Sequence, residues 1–302
     1  MCNRREGMTF AHDAHEIKFN VIGERLAMAI ITISREMGSG GIPIVEQAAE
    51  TLGYRLVNGE SIKEIAAKYG LTDEGLLQVD EKPPVFIEKL DRKIELDMHK
   101  IQLIVLEEAL KGDLIIYGRG GQDLLAGINS VFRVRVITPF EERVERWAER
   151  EWIDPDLAYS LVRKSDQQRA GFIKYYFDRD WNDPLGYDLV INTSRLSHEM
   201  AVKLIAEGVH DQNLVEKKSA CKARLKDLII QKKIQICRLA DSRIEDLWYT
   251  IDVDQGHVTL SGHVDSEDER QAAVDDAQKT EGVTGVTNKL KIINFRNEPM
   301  DH

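Results

Sequence analysis

Cysteine is scarce. Cys2, Cys221 and Cys237 are the only three in 302 residues, and none has a Cys or His at close metal-ligand spacing, which excludes a disulfide framework and a zinc site. A reducing, cytoplasmic setting is the expectation. No apolar run approaches the roughly 18 residues that a membrane-spanning helix needs. Met1 to Arg25 is mixed polar and lacks the apolar core of a secretory signal. Excess positive charge is absent too: the formal charge is −11, which argues against wholesale binding of nucleic acid or anionic lipid. No Ser/His/Asp triad or paired-carboxylate arrangement stands out. His99 and His198 read most simply as surface or core histidines, and His12 and His15 lack a third ligand nearby.

What is present suits one large domain and one small one. Apolar residues make up 42% of the chain, ample for a packed core. The charge is uneven. Residues 211–240 hold eight Lys/Arg against three Asp/Glu, and residues 241–302 hold six against fourteen. A basic helical segment therefore precedes an acidic unit, and both read first as solvated faces of a small domain.

The patterning alternates strand and helix. Ile30 to Ser34 reads as a strand, Ile44 to Leu52 as a helix with Pro43 near its first turn, and Glu60 to Tyr69 as a second helix. After Lys82-Pro83-Pro84, the residues Ile87, Leu90, Ile94, Met98, Ile101 and Val105 form one helical apolar stripe. Strands follow at Asp113–Tyr117, Phe132–Thr138 and Asp188–Ile191, with helices at Glu141–Glu151, Asp154–Phe177 and His198–Val209. This order predicts a parallel sheet covered on both faces, with ligands beyond the carboxyl ends of its strands. From about residue 211 the character changes. A basic helix at Ala220–Ala240, strands at Leu247–Val253 and His257–Val264 joined by Asp254-Gln255-Gly256, a polar helix at Glu267–Thr280 and a strand at Gly285–Ile293 make a small α+β unit.

Chemistry concentrates at Ser34-Arg35-Glu36-Met37-Gly38-Ser39-Gly40-Gly41. Strand, glycine turn and helix is the layout of a phosphate-binding loop. Glycines let backbone N–H groups converge on an anion, and the helix start adds unpaired donors and positive dipole. The usual Gly-Lys-Ser/Thr ending is missing: Gly41 stands at the lysine position and Ile42 at the magnesium-binding hydroxyl. Arg35 is the best substitute cation and Ser39 the nearest hydroxyl. If the missing pair leaves the loop otherwise intact but unable to catalyse, Gly41→Lys with Ile42→Ser raises activity. Arg119 lies between glycines at a strand end, where it either forks onto a phosphate or sits on the surface. Arg163, Asp166 and Arg169 recur along one side of a helix, as a functional set or a surface ion-pair ladder. Tyr175-Tyr176-Phe177-Asp178 with Trp181 reads as a packing corner more than a base-stacking platform.

Taken together, residues 28–210 resemble the cytidylate kinase-like family of P-loop nucleoside monophosphate kinases. The matching pieces are the 33–41 loop, Asp80-Glu81-Lys82-Pro83-Pro84, Gly118-Arg119-Gly120, Arg133-Val134-Arg135 with Glu141-Glu142-Arg143, Asp166-Gln167-Gln168-Arg169, and Asp180 to Ser194. The resemblance implies a five-stranded parallel sheet flanked by helices, a nucleoside monophosphate-binding insertion near residues 60–110 and a lid near 150–180. It also implies transfer of the γ-phosphoryl group of ATP, with Mg²⁺, to CMP or dCMP. Arg119 would hold the acceptor phosphate, Arg163 and Arg169 would close on the transferring group, and Asp166 would orient them. The loss of the loop lysine and hydroxyl leaves a second alternative, a catalytically weak or inactive nucleotide-sensing protein.

Residues 220–295 resemble a BON domain through His257-Val258-Thr259-Leu260-Ser261-Gly262-His263-Val264 and Gly282-Val283-Thr284-Gly285-Val286-Thr287-Asn288. That likeness implies a role in binding a protein partner or lipid. The expected organisation is a flexible extension over 1–27, a cytidylate kinase-like domain over 28–210, a linker over 211–219, a BON-like domain over 220–295 and a tail over 296–302. If the BON-like unit is the working part and the kinase-like domain a scaffold, removing residues 211–302 leaves nucleotide chemistry unchanged.

Overall fold

The computed structural model describes residues 29–79, 81, 92–214, 218–244 and 248–293. The extension expected over 1–27, the Lys82-Pro83-Pro84 break, the Ile87 and Leu90 positions of the apolar stripe and the tail over 296–302 lie outside the described residues.

Five short apolar runs build the main sheet: β1 (Ile30–Arg35), β2 (Arg55–Val57), β3 (Leu114–Tyr117), β4 (Val131–Ile137) and β5 (Leu189–Asn192). Their order is β2-β3-β1-β4-β5, and every neighbouring pair is parallel. β1 is central, and its alternate side chains serve two cores. Ile30 joins Leu114, Ile116 and Val131 on one face, while Ile31 and Ile33 join Ile115, Val134 and Val136 on the other. A strand buried on both faces is mostly apolar, and β1 and β3 follow this, with Thr32 and Ser34 the buried polar exceptions in β1.

α1 (Gly41–Leu52) and α8 (His198–Gly208) cover the second face through Ile44, Val45, Ala48, Val202 and Ile205. α4 (Arg92–Lys111, after the two helices described next) covers the first through Ile101, Ile104 and Val105. α2 (Gly59–Ala66) starts with a reciprocal cap: the Asn58 side chain accepts from Ser61 N, and the Ser61 hydroxyl accepts from Asn58 N. α3 (Asp73–Gln78) has no counterpart in the sequence reading. Six residues are too few to show a helical period, and its one signal is Thr72, whose hydroxyl accepts from Gly75 N. α5 (Gly121–Leu124), α6 (Phe140–Glu151) and α7 (Pro155–Phe177) complete this part. Asp154 caps α7 by accepting from Asp156 N, and Pro155 suits the first turn because it has no N–H to leave unpaired.

The C-terminal unit comprises α9 (Lys218–Ala240), β6 (Tyr249–Asp254), β7 (His257–Val264), α10 (Glu267–Lys279) and β8 (Gly285–Ile292). β6 and β7 form an antiparallel hairpin, and β8 returns parallel to β7 after the α10 crossover. No helix among the described residues is long and apolar enough to cross a membrane.

α9 belongs to both parts of the molecule. Cys221, Leu225 and Ile229 enter the core formed with α4, whereas Ile230 and Ile234 enter the core under β6, β7 and β8. The Ser130 hydroxyl donates to Cys221 Sγ at 3.2 Å. Asp227, buried on the same helix, accepts from Gln255 N at 3.0 Å and Gly256 N at 2.9 Å and so holds the β6–β7 turn. A helix with two apolar faces cannot be removed without opening the α4 core. Loss of residues 211–302 would therefore uncover the α4 core of the five-stranded part.

Leu225→Ala should destabilise the protein by about 2–5 kcal/mol, the usual range for a fully buried leucine. A chain shortened to residue 210 should melt well below the full-length protein. Thermal denaturation followed by circular dichroism checks both, and equal melting of the shortened and full chains would contradict the shared core.

Candidate functional site

The glycine loop follows β1 and is held from several sides. Glu36 N donates to Val136 O at 3.1 Å, and both Ser39 N and the Ser39 hydroxyl donate to Glu36 O, at 3.3 and 2.8 Å. The Glu36 carboxylate accepts from Thr138 N at 3.1 Å and lies 3.3 Å from Arg143 Nε and 3.5 Å from Arg135 Nη2. Asp166, on α7, accepts from Met37 N at 3.1 Å and from Arg143 Nη1 at 2.6 Å. Arg143 also donates to Met37 O and Thr138 O. Its buried guanidinium thus ties the loop to the end of β4 and to α7. Three of the loop amides, Glu36 N, Met37 N and Ser39 N, already have acceptors within the protein. The donors left at the α1 start are its first-turn amides, which lack acceptors within the helix.

Gly40 caps α1 at φ 79°. A Cβ there would stand 2.5 Å from His198 Nε2, so the histidine at the α8 start lies directly over the loop. Gly41 is glycine for a different reason. A Cβ would stand 3.0 Å from both Arg35 Cγ and the Tyr117 hydroxyl. The Arg35 stem fills the space a lysine at 41 would need, and its guanidinium stacks on the Tyr117 ring at 4.2 Å.

Glu81 gathers the arginines. Arg35 Nη1 donates to its two oxygens at 2.8 and 3.0 Å, Arg169 Nε donates at 3.2 Å and Arg119 N donates at 2.6 Å. Burial disfavours the charged carboxylate, but Arg35, then Arg169 and Arg119, outweigh it and hold Glu81 down at about 2. Burial opposes charge on Arg35 as well, yet Glu81 and Tyr117 leave its pKa raised. On Arg169 burial and the nearby Arg35 win, and its pKa is lowered.

Two cavities meet beside this cluster. One, of about 400 Å³, is lined by Asn58, Gly59, Glu60, Lys63, Leu76, Leu77, Glu81 and Arg119 among others. The second, of about 490 Å³, is lined by Glu36, Met37, Gly38 and Gly40 to Pro43, by Arg146, Trp147 and Arg150 of α6, and by Arg169 and His198. Arg35, Ile42 and Tyr117 line both.

The residues singled out from sequence divide accordingly. Arg35, Arg119 and Arg169 come together on Glu81, and Gly38, Gly40 and Gly41 line the loop-side cavity. Ser34 does not face either large cavity: its hydroxyl accepts from Trp181 Nε1 at 2.8 Å, which makes the tryptophan a buried packing corner. Ser39 is fully buried. Arg163 is exposed and lies in a shallow depression with Phe140, Tyr159, Asp166 and Gln167, outside both large cavities. Asp166 holds Arg143 and the loop directly, lines the same depression as Arg163, and acts on Arg169 through its charge. Sequence reasoning assigned no role to Glu81, Tyr117, Arg143, Arg146, Trp147, Arg150 or His198. Arg146 and Arg150, four apart on α6, were the available signal for one charged face.

The loop offers no side-chain oxygen suited to Mg²⁺. Ser39 Oγ is buried and bonded to Glu36 O, the Glu36 carboxylate is taken by Arg135 and Arg143, and Ile42 is aliphatic. Among the described residues no group of three His, Cys, Asp or Glu is placed to hold a metal. A divalent ion carried by nucleotide phosphates would be part of the substrate.

Two outcomes follow from this geometry. Gly41→Ala should destabilise the fold by about 1–3 kcal/mol, the usual cost of overpacking, and Gly41→Lys should destabilise it at least as much, because either side chain crowds Arg35 and Tyr117. Urea denaturation checks both, and a Gly41→Lys variant as stable as wild type would overturn the steric account. Because the Glu81 pKa is depressed on folding, the stability it contributes is fully present above about pH 4.5 and is lost as pH falls toward 2. The difference in unfolding free energy between wild type and Glu81→Gln, measured from pH 6 down to pH 2.5, should shrink across that window.

Comparison with known proteins gives consistent matches. The sequence model of the cytidylate kinase-like family covers residues 30–195, and that of the BON domain covers residues 227–294. Over 179 residues the chain is 32% identical to a cytidylate kinase of Natronomonas pharaonis, covering 59% of this chain and 87% of that one. It is 30% identical to a cytidylate kinase of Staphylothermus marinus, covering 60% of this chain and 96% of that one. A cytidylate kinase of Ignicoccus hospitalis is 30% identical over 59% of this chain and 97% of its own length. With that family model matching more than half of its length, over the same residues that build the parallel sheet and the loop, the chain belongs to the cytidylate kinase-like family and carries a C-terminal BON domain.

Proposed function

We propose that this protein is a nucleoside monophosphate kinase that transfers the γ-phosphoryl group of ATP to CMP or dCMP. The observation that carries the reading is the pair of cavities that meet at Arg35 and Tyr117, one walled by the glycine loop and the other by α2, α3 and Arg119. In this reading the ATP triphosphate lies along the loop against the α1 start. The monophosphate lies beyond Arg35, with Arg119 near its phosphate. An acceptor phosphate oxygen attacks the γ-phosphorus, the bond to the β–γ bridging oxygen breaks, and ADP leaves with that oxygen.

Such a transfer asks a protein for alignment and for positive charge at the moving group, with little covalent work. Arg35, stacked over Tyr117 and placed between the cavities, takes the charge-neutralising task that a loop lysine performs elsewhere. Arg169, on α7 and lining the loop-side cavity, adds a second cation when that helix closes over the nucleotide and excludes water. Arg146 and Arg150 supply further positive charge on the loop side. The BON domain binds a protein partner or lipid and is mechanically joined to the kinase part through α9.

A specific feature favours a second reading. Ile42, 44% exposed, occupies the place of the metal-binding hydroxyl, and a protein so built can bind nucleotide and sense it without turning it over. A coupled ADP-release assay with CMP, dCMP, UMP and AMP separates the two. Turnover with CMP or dCMP above the other acceptors is the expected result. Nucleotide binding by calorimetry with no turnover on any acceptor would replace the kinase reading with the sensing one.

A further inference from the structure

We infer that Glu81 is a positioning residue for the phosphate-binding arginines, fixing Arg35 and Arg169 at the meeting point of the two cavities. The contacts use only part of each guanidinium. Arg35 meets both carboxylate oxygens through Nη1, and Arg169 meets Glu81 through Nε while its Nη1 donates to Ser165 Oγ. Both arginines line the loop-side cavity from these anchored positions. A carboxylate holding one edge of a guanidinium restricts its rotamers and leaves the remaining edge oriented, so less freedom is lost when phosphate binds.

The surroundings are built for this carboxylate. Gly118, at φ 78°, has its missing Cβ position against Glu81 Oε1 and 2.6 Å from Arg35 Nη1, so a side chain there would force the pair to shift. Arg119 N, next in the chain, donates to the same oxygen. Several positive charges around one negative charge leave a net positive field for a phosphate. Glu81 also follows α3, whose Leu76 and Leu77 line the other cavity, and its own amide donates to Val79 O. One residue thus links the wall of the monophosphate side to the arginines of the triphosphate side. The opposite role, a latch that occupies the arginines until nucleotide displaces it, would make the same contacts and predicts the opposite sign on removal.

This inference rests on the kinase reading for its purpose, and its test does not depend on turnover. Inorganic tripolyphosphate is titrated calorimetrically into full-length wild type and Glu81→Gln, which keeps the side-chain shape and removes the charge. Positioning predicts binding about tenfold weaker in Glu81→Gln, the size expected for loss of one charge-assisted anchor. It also predicts, in the ADP-release assay, a fall in kcat larger than the rise in KM for ATP. Tighter or unchanged tripolyphosphate binding in Glu81→Gln, or no binding by wild type, overturns the proposal. A wild type that binds tripolyphosphate but shows no turnover, with weakened binding in Glu81→Gln, sinks the kinase reading and upholds the positioning role. Should Glu81→Gln lose its folding transition, Arg169→Lys carries the same test from the other end of the pair. Its ammonium cannot grip Glu81 and Ser165 together, so equal loss of tripolyphosphate affinity is expected, and affinity equal to wild type overturns the proposal.

Discussion

A single buried carboxylate organises the positive charge of this protein. Arginines from the end of β1 and from α7, together with a backbone amide from the turn after β3, reach Glu81 from different parts of the chain. Buried like charges repel one another strongly in a low-dielectric surrounding, and a shared counter-charge allows them to sit together. Without Glu81, Arg35 and Arg169 would have no reason to converge. Without Arg35 over Gly41, the loop would present neither a lysine nor a substitute for one. The glycines at 41 and 118 are the complement of that arrangement, since each vacates the space that Arg35 or the Glu81–Arg35 pair fills.

A second network holds the loop in place and is distinct from the first. Arg143 and Asp166 fasten Met37 by its carbonyl and its amide, and Glu36 is fastened to the end of β4. Asp166 comes from the long helix α7, which also carries Arg169. Any movement of α7 is therefore felt at both the loop backbone and the cation cluster. The α6 face with Arg146, Trp147 and Arg150 closes the same cavity from the far side. At the other side of the sheet, α9 plays a comparable joining role by supplying apolar residues to two cores. The BON domain is then a continuation of the folded body through one helix.

Much of the architecture was readable because it rests on local patterning. Strands buried on both faces are built almost wholly from apolar residues, and Leu114 to Ile116 and Ile30 to Ile33, where Thr32 is the one polar position, fit that pattern. Helices beginning at a cap and ending at glycine, such as α1 before Gly53, announce their boundaries. α3 escaped because six residues carry no period, and the double role of α9 escaped because a helix with two apolar faces looks like one with a broad stripe. At the site, the glycine turn and Arg35, Arg119 and Arg169 stood out by residue type and context. Glu81 did not: it stood out only as part of the matching piece Asp80-Glu81-Lys82-Pro83-Pro84, and so short a stretch has no period to show which distant charges it meets.

By itself the sequence determined the alternation of the longer strands and helices, the position of the glycine turn between β1 and α1, and the absence of the Lys-Ser/Thr ending from that turn, because these depend on residues close together in the chain. Only the tertiary structure decided which charges meet. Glu81 lies 46 positions from Arg35 and 88 from Arg169, and Asp166 lies 129 from Met37. An ion pair is selected by distance and desolvation in space, and neither quantity is written in the linear order of residues. For that reason the sequence named most of the cations, and the fold alone named the carboxylate that aligns them.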